Sequence, residues 1–415
     1  MQIAKPIQKT STRNGAGVAP LILTINGGSS SIKFALFSAA SPLQRVFSGQ
    51  VEHIGVPGTL LTATRENSSE LDKHPIPAKT FHDGIQGVIS YLRQRIGKSA
   101  ISAIGHRIVK GGVHLVDNQL ITADVIAELR RMQPLDLDHL PREIALIDGF
   151  REAFPRITQI ACFDTAFHKD LPRIAQLLPI PRRYLNAGVR RFGFHGLSYT
   201  YLMSQLAVAA GADAANGRVI LAHLGSGASM AAVHNGKPID TTMAFTPTSG
   251  LMMGTRPGDL DPGLLVYLMK DQKLSIEDMD KFISQQCGLI GVSETSSDMR
   301  DLLRARGNDP RAAEAVQLFC YQAKKHLCAL TSTLGGLETI VFAGGIGERS
   351  PDIRAGICDG LDFLGLKLDQ SRNNHGCDVI SSNESHVTAR IIPTDEEVVI
   401  ARIASTISLS NRLRG

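Results

Sequence analysis

Three glycine-rich turns, each after an apolar segment, are the first candidates for chemistry in this chain. Glycine lets the backbone approach a ligand closely, so that amide groups can point at phosphate oxygens. Lys33 adds positive charge after the first turn. The turns are Asn26-Gly27-Gly28-Ser29-Ser30-Ser31, Leu224-Gly225-Ser226-Gly227 and Ala343-Gly344-Gly345-Ile346-Gly347-Glu348. None has the spacing of a Walker A loop or a dinucleotide fingerprint, and each alone could be only a turn. Together they favour a nucleotide site.

Cationic side chains stand beside glycine in two further segments, Gly105-His106-Arg107 and Gly254-Thr255-Arg256. The planar guanidinium fork of arginine suits carboxylate and phosphate oxygens, although a lone arginine is commonly a surface or packing residue. His195 lies between Phe194 and Gly196. It is either a packed core histidine or a positioned hydrogen-bond donor.

Acidic candidates follow a similar pattern. Asp164 comes directly after the apolar run Ile160–Phe163, as many catalytic acids at strand ends do, but it could equally cap a helix. Near the C-terminus, Thr394 and Glu397 have capping-box spacing, which gives Glu397 a structural explanation. Glu396 needs no such role and could reach a Mg²⁺ ion. Ser296–Arg300 is also a plausible helix start.

Strands and helices that alternate along the chain must position these residues. Apolar runs between turn signals predict strands, and apolar residues at offsets of 3, 4, 7 and 11 predict helices. Asn235-Gly236 is a hairpin signal, and Gly335-Gly336 would end the longer helix. The predicted strands are Leu21–Ile25, Ile32–Phe37, Val219–Leu224, Ala228–His234 and Thr339–Ala343, and the predicted helices are Asp83–Ile96 and Pro310–Leu334. The alternation predicts an α/β fold, and the two similar hairpins hint at a duplicated domain.

Length and composition limit the class of protein. At about 150 residues per domain, 415 residues predict two or three domains. The net charge of +5 gives no reason to expect nucleic acid, and no apolar run is long enough for a membrane span. Six scattered cysteines without a C-x-x-C pair fit a reducing compartment. Residues 1–20 lack the apolar core of a signal peptide and read as a flexible extension, so we expect a cytoplasmic protein.

Taken in order, segments from about Leu21 to Ala404 resemble the acetate kinase family, within the sugar kinase/Hsp70/actin superfamily. These segments are Ile25–Lys33, Gly105–Gly112, Phe163–His168, Arg190–Gly196, His223–Ser229, Met253–Pro262, Ser296–Arg300, Ala343–Glu348 and Ile392–Glu397. The resemblance implies two α/β domains with a ribonuclease H-like core and a central cleft. Residues 21–165 would form the first, joined by the C-terminal helix 396–415, and residues 166–395 the second.

The resemblance also implies roles for individual residues. Asp164, His195 and Arg256 would be catalytic, and Asn26 and Glu396 would be associated with Mg²⁺ or Mn²⁺. The substrate would contact Arg107, Val109, Asp138, His139, Phe194 and Pro247. ATP or ADP would contact Ser29, Ser31, Lys33, His223, Leu224, Gly225, Ser226, Gly227, Asp298, Met299, Arg300, Gly345, Ile346, Gly347, Glu348 and Arg349.

The implied activity is reversible phosphoryl transfer from ATP to a short carboxylate, acetate or propionate by default, by an enzyme that relatives suggest is a homodimer. A small carboxylic acid is already ionised at pH 7, so we expect Asp164 to orient an arginine or the metal shell and not to remove a proton. Two alternatives stay open at this point. One is a kinase for a more polar carboxylate or a hydroxyl substrate, and the other is a nucleotide-binding protein without catalysis.

One departure from the family bears on the substrate. Relatives usually carry Pro-Leu-His-Asn-Pro before the catalytic aspartate, whereas this chain reads Leu137-Asp138-His139-Leu140-Pro141. If His139 is the family histidine, Asp138 stands where an apolar residue lines the pocket for the alkyl end of the substrate. A buried carboxylate without a partner is costly. Either Asp138 points away, or the substrate carries a hydroxyl or an amine.

Overall fold

The computed structural model of the chain describes residues 20–28, 30–66, 68, 70–96, 101–136 and 138–414. The extension predicted for residues 1–20 therefore lies, apart from Pro20, outside the described residues, as do Ser29 and Leu137. The described helices include none with the length and apolar character that crossing a bilayer requires.

Strands and helices are numbered in chain order across the molecule. The strands are β1 (Leu21–Gly27), β2 (Ile32–Ser38), β3 (Gln44–Glu52), β4 (Leu60–Arg65), β5 (Leu71–Pro75), β6 (Ile101–Ile108), β7 (Gln119–Leu120), β8 (Thr158–Phe163), β9 (Val219–Leu224), β10 (Ala228–His234), β11 (Lys237–Thr241), β12 (Thr339–Ala343) and β13 (Thr388–Ile391). The α-helices are α1 (Phe81–Ile96), α2 (Ala123–Met132), α3 (Leu140–Ala153), α4 (Arg173–Gln176), α5 (Arg182–Asn186), α6 (Gly196–Asn216), α7 (Pro262–Asp271), α8 (Ile276–Lys281), α9 (Gly288–Ser293), α10 (Met299–Ala305), α11 (Pro310–Leu334), α12 (Gly344–Arg349), α13 (Pro351–Cys358), α14 (Gln370–His375) and α15 (Glu396–Arg414). Short 3-10 segments occur at Gln133–Leu135, Asp164–His168 and Asp362–Leu364, and a π-helical turn occurs at Phe282–Gln286.

The chain forms two compact units. Unit 1 contains the described residues of Met1–Ala166 and Asp395–Gly415, and unit 2 is Phe167–Thr394. The sheet of unit 1 has the order β5-β4-β3-β2-β1-β6-β8-β7, and the sheet of unit 2 has the order β11-β10-β9-β12-β13.

Both sheets share one five-stranded pattern. In unit 1, β3, β2 and β1 pair antiparallel, and β6 and β8 continue the sheet in parallel. In unit 2, β11, β10 and β9 pair antiparallel, and β12 and β13 continue it in parallel. The same order and strand directions therefore occur twice. The predicted α/β fold with two ribonuclease H-like units is confirmed.

A long helix covers the parallel part of each sheet. In unit 1, α15 packs on β1, β6 and β8, and in unit 2, α6 packs on β9, β10 and β12. Gly105 of β6 allows the close approach of α15, because a Cβ there would lie 2.5 Å from Cγ2 of Ile400. The parallel strands are buried on both faces, as their apolar sequences require.

Element positions agree closely with the sequence predictions, with two corrections. Gly344–Arg349, read as a turn, forms the short helix α12, which begins at Gly344 with a φ of +75°. The cap of α15 is Asp395, whose Oδ1 accepts a hydrogen bond from the Val398 amide at 3.2 Å, and not the predicted Thr394. The helix starts one residue later than a Thr394 cap requires, and the Thr394 hydroxyl bonds to Ser198 instead.

Candidate active site

Arg107 is the centre of a polar network in unit 1. It lies at the end of β6, beside Asp164, which follows the neighbouring strand β8. Asp164 Oδ2 accepts hydrogen bonds from Arg107 Nε at 3.1 Å and Nη2 at 2.7 Å. The Asp164 carboxylate is fully buried, and only 16% of the Arg107 side chain is exposed. Burial disfavours the charge of Arg107, but the carboxylates of Asp164 and Glu396 outweigh it and raise the pKa of the guanidinium.

Asn26 and Glu396 extend this network. Arg107 Nη1 donates to Asn26 Oδ1 at 3.2 Å, and Asn26 Nδ2 donates to Glu396 Oε2 at 3.2 Å. Asn26 is the next-to-last residue of the buried strand β1, and Glu396 begins α15, which packs on that strand. The fold thus brings together four side chains predicted from distant parts of the sequence.

The donor set of Asn26 and Glu396 fits a magnesium ion that keeps waters and takes phosphate oxygens as further ligands. Mg²⁺ prefers carboxylate and amide oxygens, and commonly uses only one or two protein carboxylates beside a nucleotide. Among the described residues, no group of three or more His, Cys, Asp and Glu side chains could enclose a metal by itself. The two residues suit an ion shared with a nucleotide and not a closed metal centre.

The remaining candidates of unit 1 follow β6, precede α3 or belong to the segment around the first glycine turn. Val109 is buried, and its amide donates to Glu143 Oε1 at 3.0 Å. His139 occupies the N-cap position of α3 without a capping hydrogen bond from its side chain. Asp138 precedes it in the turn, half-buried, and its backbone carbonyl accepts a hydrogen bond from Arg142. Ser31 and Lys33 follow the first glycine turn, and the Lys33 side chain is exposed. Burial raises the pKa of Glu143 to about 8.

His195 is the most strained of the candidate residues of unit 2. It immediately precedes α6 with a φ of 57° and a ψ of 25°, a left-handed conformation that is uncommon for a residue other than glycine. Its Nδ1 lies 2.8 Å from the Ser229 hydroxyl, and its ring stacks on His223 with centroids 4.3 Å apart. Backbone strain of this kind concentrates at functional sites, and the donor role of His195 stays a prediction.

Arg256 converges on the same point. A Cβ placed on Gly227 would lie 2.8 Å from Arg256 Nη2 and 3.3 Å from His195 Nε2. Arg256 Nη1 donates to the Pro247 carbonyl at 2.5 Å, so the loop that carries Pro247 helps to position the guanidinium. Unit 2 therefore places a guanidinium and an imidazole together over a glycine turn, an arrangement suited to the oxygens of a phosphoryl group. Phe194, the other apolar pocket candidate, is buried directly before His195.

The nucleotide candidates of unit 2 surround the strand ends. Leu224–Gly227 forms the turn between β9 and β10, and Gly344 at the end of β12 passes so close to Leu224 that a Cβ would lie 2.6 Å from its carbonyl oxygen. His223 Nδ1 bonds to Ser198 at 2.8 Å. Gly345, Ile346, Gly347, Glu348 and Arg349 all belong to α12. The turn after β9 and the start of α12 therefore lie side by side at the carboxyl ends of two neighbouring parallel strands.

Four of the nucleotide candidates already make structural contacts. Asp298 caps α10 and pairs with Arg300 on the surface, and Met299 is buried in that helix. Glu348 Oε1 accepts from the amides of Gly344 at 2.9 Å and Thr394 at 3.0 Å. Their predicted nucleotide contacts stay predictions.

Sequence reasoning missed Ser229 and Asp136. Ser229 is fully buried on β10 and joins His195 to the hydroxyl of Tyr199. Asp136 accepts from His139 Nδ1 at 2.9 Å. Ser229 offered only the signal that a polar residue occupies a buried strand. Asp136 offered only the signal of a short acidic side chain in the turn before a helix.

Comparison with known proteins covers both units. A family model described as the Acetokinase family matches residues 21–402. An acetate kinase of Rhodopseudomonas palustris is 41% identical over 392 residues, which cover 93% of this chain and 98% of that protein. The crystal structure of Porphyromonas gingivalis acetate kinase matches with a TM-score of 0.83 and 36% identity, over 94% of this chain and all (100%) of that one. A propionate kinase from Francisella tularensis matches with a TM-score of 0.87 and 32% identity, over 94% and 100%.

Proposed function

The chain belongs to the acetokinase family, and we propose that it transfers the γ-phosphoryl group of ATP reversibly to a short carboxylate, acetate or propionate. The products are ADP and an acyl phosphate. The observation that carries this proposal is the set of hydrogen bonds that the Arg107 guanidinium donates to Asp164 and Asn26 at the end of β6.

Arg107 is suited to receive a carboxylate in one orientation. A guanidinium has five N–H groups, and the contacts to Asp164 and Asn26 use three of them. The other two, one on each terminal nitrogen, match the two oxygens of a carboxylate. Asp164 serves this interaction by fixing the guanidinium, and a carboxylate nucleophile needs no base.

The reaction brings one anion to another. Two unit charges about 4 Å apart repel by roughly 4 kcal/mol at an effective dielectric constant near 20. Arg107 offsets the charge of the carboxylate, and Arg256 and His195 offset the charge that spreads over the equatorial phosphoryl oxygens. The fixed positions of Arg256 and His195 over Gly227 support this division of roles.

We further propose that Asn26 and Glu396 hold Mg²⁺ or Mn²⁺ together with the nucleotide. When bound, the ion neutralises phosphate charge and orients the phosphate chain. Unit 2 residues His223, Leu224, Gly225, Ser226 and Gly227 would contact ATP through the turn between β9 and β10.

Location and assembly complete the proposal. Six free cysteines support work in the reducing cytoplasm. A homodimer is supported by α7, a helix without a buried residue that exposes Leu264, Val266 and Tyr267.

ADP release coupled to a panel of short carboxylates, with hydroxylamine as a trap, tests the proposed reaction. We expect ADP release with acetate or propionate and a matching amount of hydroxamate, because only an acyl phosphate yields one. ADP release without hydroxamate would mean that a hydroxyl group or water is the acceptor.

A more polar carboxylate is the second candidate substrate, favoured by the half-buried Asp138 directly before His139. If Asp138 lines the pocket, Asp138→Leu shifts preference from hydroxy or amino acids toward acetate and propionate. An unchanged preference across the panel would exclude this candidate.

A further inference from the structure

A buried carboxylate lies behind the candidate substrate histidine. Asp136 stands in the turn before α3, and only 7% of its side chain is exposed. Its Oδ1 accepts two hydrogen bonds from His139, one from the backbone amide at 3.0 Å and one at Nδ1 of the ring at 2.9 Å. The same oxygen thus holds both the backbone and the ring of His139, the residue directly before α3.

The charge of Asp136 determines which ring nitrogen carries hydrogen. Burial favours the neutral acid, but the hydrogen bonds from His139 and the charge of Lys110 outweigh burial and lower the pKa of Asp136. An ionised carboxylate can only accept hydrogen bonds, so the hydrogen between the two side chains belongs to His139 Nδ1. Because Asp136 is bonded to Nδ1, Nε2 is the ring nitrogen left to meet another group.

We propose that Asp136 is a positioning residue, which holds the His139 ring through Nδ1–H so that Nε2 is presented to the carboxylate substrate. This inference rests on the proposed function and on the substrate contact that the family resemblance implies for His139. A carboxylate accepts hydrogen bonds, so Nε2 can pair with it only when that nitrogen carries a hydrogen, as in the imidazolium form, which donates from both nitrogens.

Lys110 is the counter-charge that makes a buried Asp136 tolerable. It follows Val109 at the end of β6, only 1% of it is exposed, and its charge acts on Asp136. The other titratable groups that act here are Glu143 of α3, whose pKa burial raises to about 8, and, at the strand ends, Arg107 and Asp164. The attraction between these two charges therefore acts between the residues that follow β6 and the turn before α3.

Steady-state kinetics of Asp136→Asn test the positioning role. Asparagine keeps a side-chain oxygen that can accept from the His139 amide, but it loses the negative charge. We expect the KM for acetate or propionate to rise about 10- to 100-fold, the range for losing a hydrogen bond to a charged group, with kcat and the KM for ATP close to wild type. Asp124→Asn, the same change at an exposed position on α2, is the matched control. An unchanged carboxylate KM would overturn the proposal.

Two double variants separate positioning from a general structural effect. If Asp136 acts through the ring, Asp136→Asn adds little to the carboxylate KM of His139→Ala, whereas independent, multiplying effects contradict the proposal. If Asp136→Asn acts only by leaving Lys110 buried without its counter-charge, adding Lys110→Met restores the wild-type KM. We expect no such rescue, and its occurrence would overturn the proposal.

Nitrogen-15 NMR of histidine-labelled enzyme tests the inference in the wild-type protein, with a variant used only to assign the signal. The His139 signal, identified by its loss in His139→Gln, should report a protonated Nδ1. A neutral ring with hydrogen only on Nε2 contradicts the inference. Wild-type hydroxamate formation in the same preparation shows separately whether the proposed function holds.

Discussion

Asp164 Oδ2 accepts hydrogen bonds from both Nε and Nη2 of Arg107, at 3.1 and 2.7 Å, and the Asp164 carboxylate is fully buried. A carboxylate held in this way is poorly suited to remove a proton. It is well suited to fix a guanidinium, because the paired hydrogen bonds hold the plane of the fork.

Asp164→Asn should lower kcat/KM for the carboxylate about 10- to 100-fold, because the guanidinium loses a charged hydrogen-bond partner. The shape of the pH profile should stay that of the wild type, since no base is removed. Initial rates across pH check both points, with Asp148→Asn on the exposed part of α3 as the control. A titrating limb that disappears in Asp164→Asn would show that Asp164 is a base after all.

Arg107→Lys should raise the KM for the carboxylate about 10- to 100-fold. Lysine keeps the charge but cannot bond to Asp164, Asn26 and both oxygens of a carboxylate in one plane. The exposed Arg130→Lys is the matched control. Wild-type carboxylate affinity in Arg107→Lys would mean that charge alone, without the fork, is sufficient.

Ser229→Ala should lower kcat by up to about tenfold, the range for one neutral hydrogen bond, with smaller changes in both KM values. The hydroxyl of Ser229 holds His195 Nδ1, and we expect His195 to act mainly in the transition state. Single-turnover rates at saturating substrate measure this directly, beside the exposed Ser410→Ala. A change confined to the KM for ATP would instead place His195 in nucleotide binding.

Glu143→Gln should change how stability depends on pH. Burial raises the pKa of Glu143 from 4.5 to about 8, so the folded protein keeps a proton that the unfolded chain loses. Its stabilisation is complete below the unfolded pKa and is lost as pH rises through about 8, at about 1.4 kcal/mol per pH unit. The variant should therefore gain free energy of unfolding relative to wild type as pH rises.

Urea denaturation between about pH 5 and pH 7.5 checks the stability prediction. Burial lowers the pKa of Lys110 to about 8, so its opposite effect, stability gained with rising pH, lies above this window. Glu152→Gln, at an exposed position of the same helix, is the control. A constant difference between Glu143→Gln and wild type would show that Glu143 is ionised in the folded protein.

Strand and helix positions were readily predicted wherever apolar periodicity and glycine punctuation agreed. The strands Val219–Leu224 and Thr339–Ala343 and the helix Pro310–Leu334 have the predicted bounds. The cap of α15 was missed because Thr394 and Asp395 are both good caps, and only the tertiary bond of Thr394 to Ser198 distinguishes them.

The site was predictable as residue types but not as a network. Arg107, Asp164, Asn26 and Glu396 were identified from local segments and the family resemblance, yet their mutual contacts depend on β1, β6, β8 and α15 meeting in unit 1. Ser229 and Asp136 carry no local pattern of catalysis. Their role follows only from the histidine rings that the fold places beside them.

Hydroxamate formation by wild type and Arg256→Ala, measured with acetate and propionate beside ATP binding, tests the central claim of carboxyl phosphorylation most directly. The wild type should form acyl hydroxamate. Arg256→Ala should still bind ATP, but its rate of hydroxamate formation should be at least about 100-fold lower, since removing one such electrostatic group typically lowers kcat by that factor. ADP release by the wild type without hydroxamate from either carboxylate would contradict the claim.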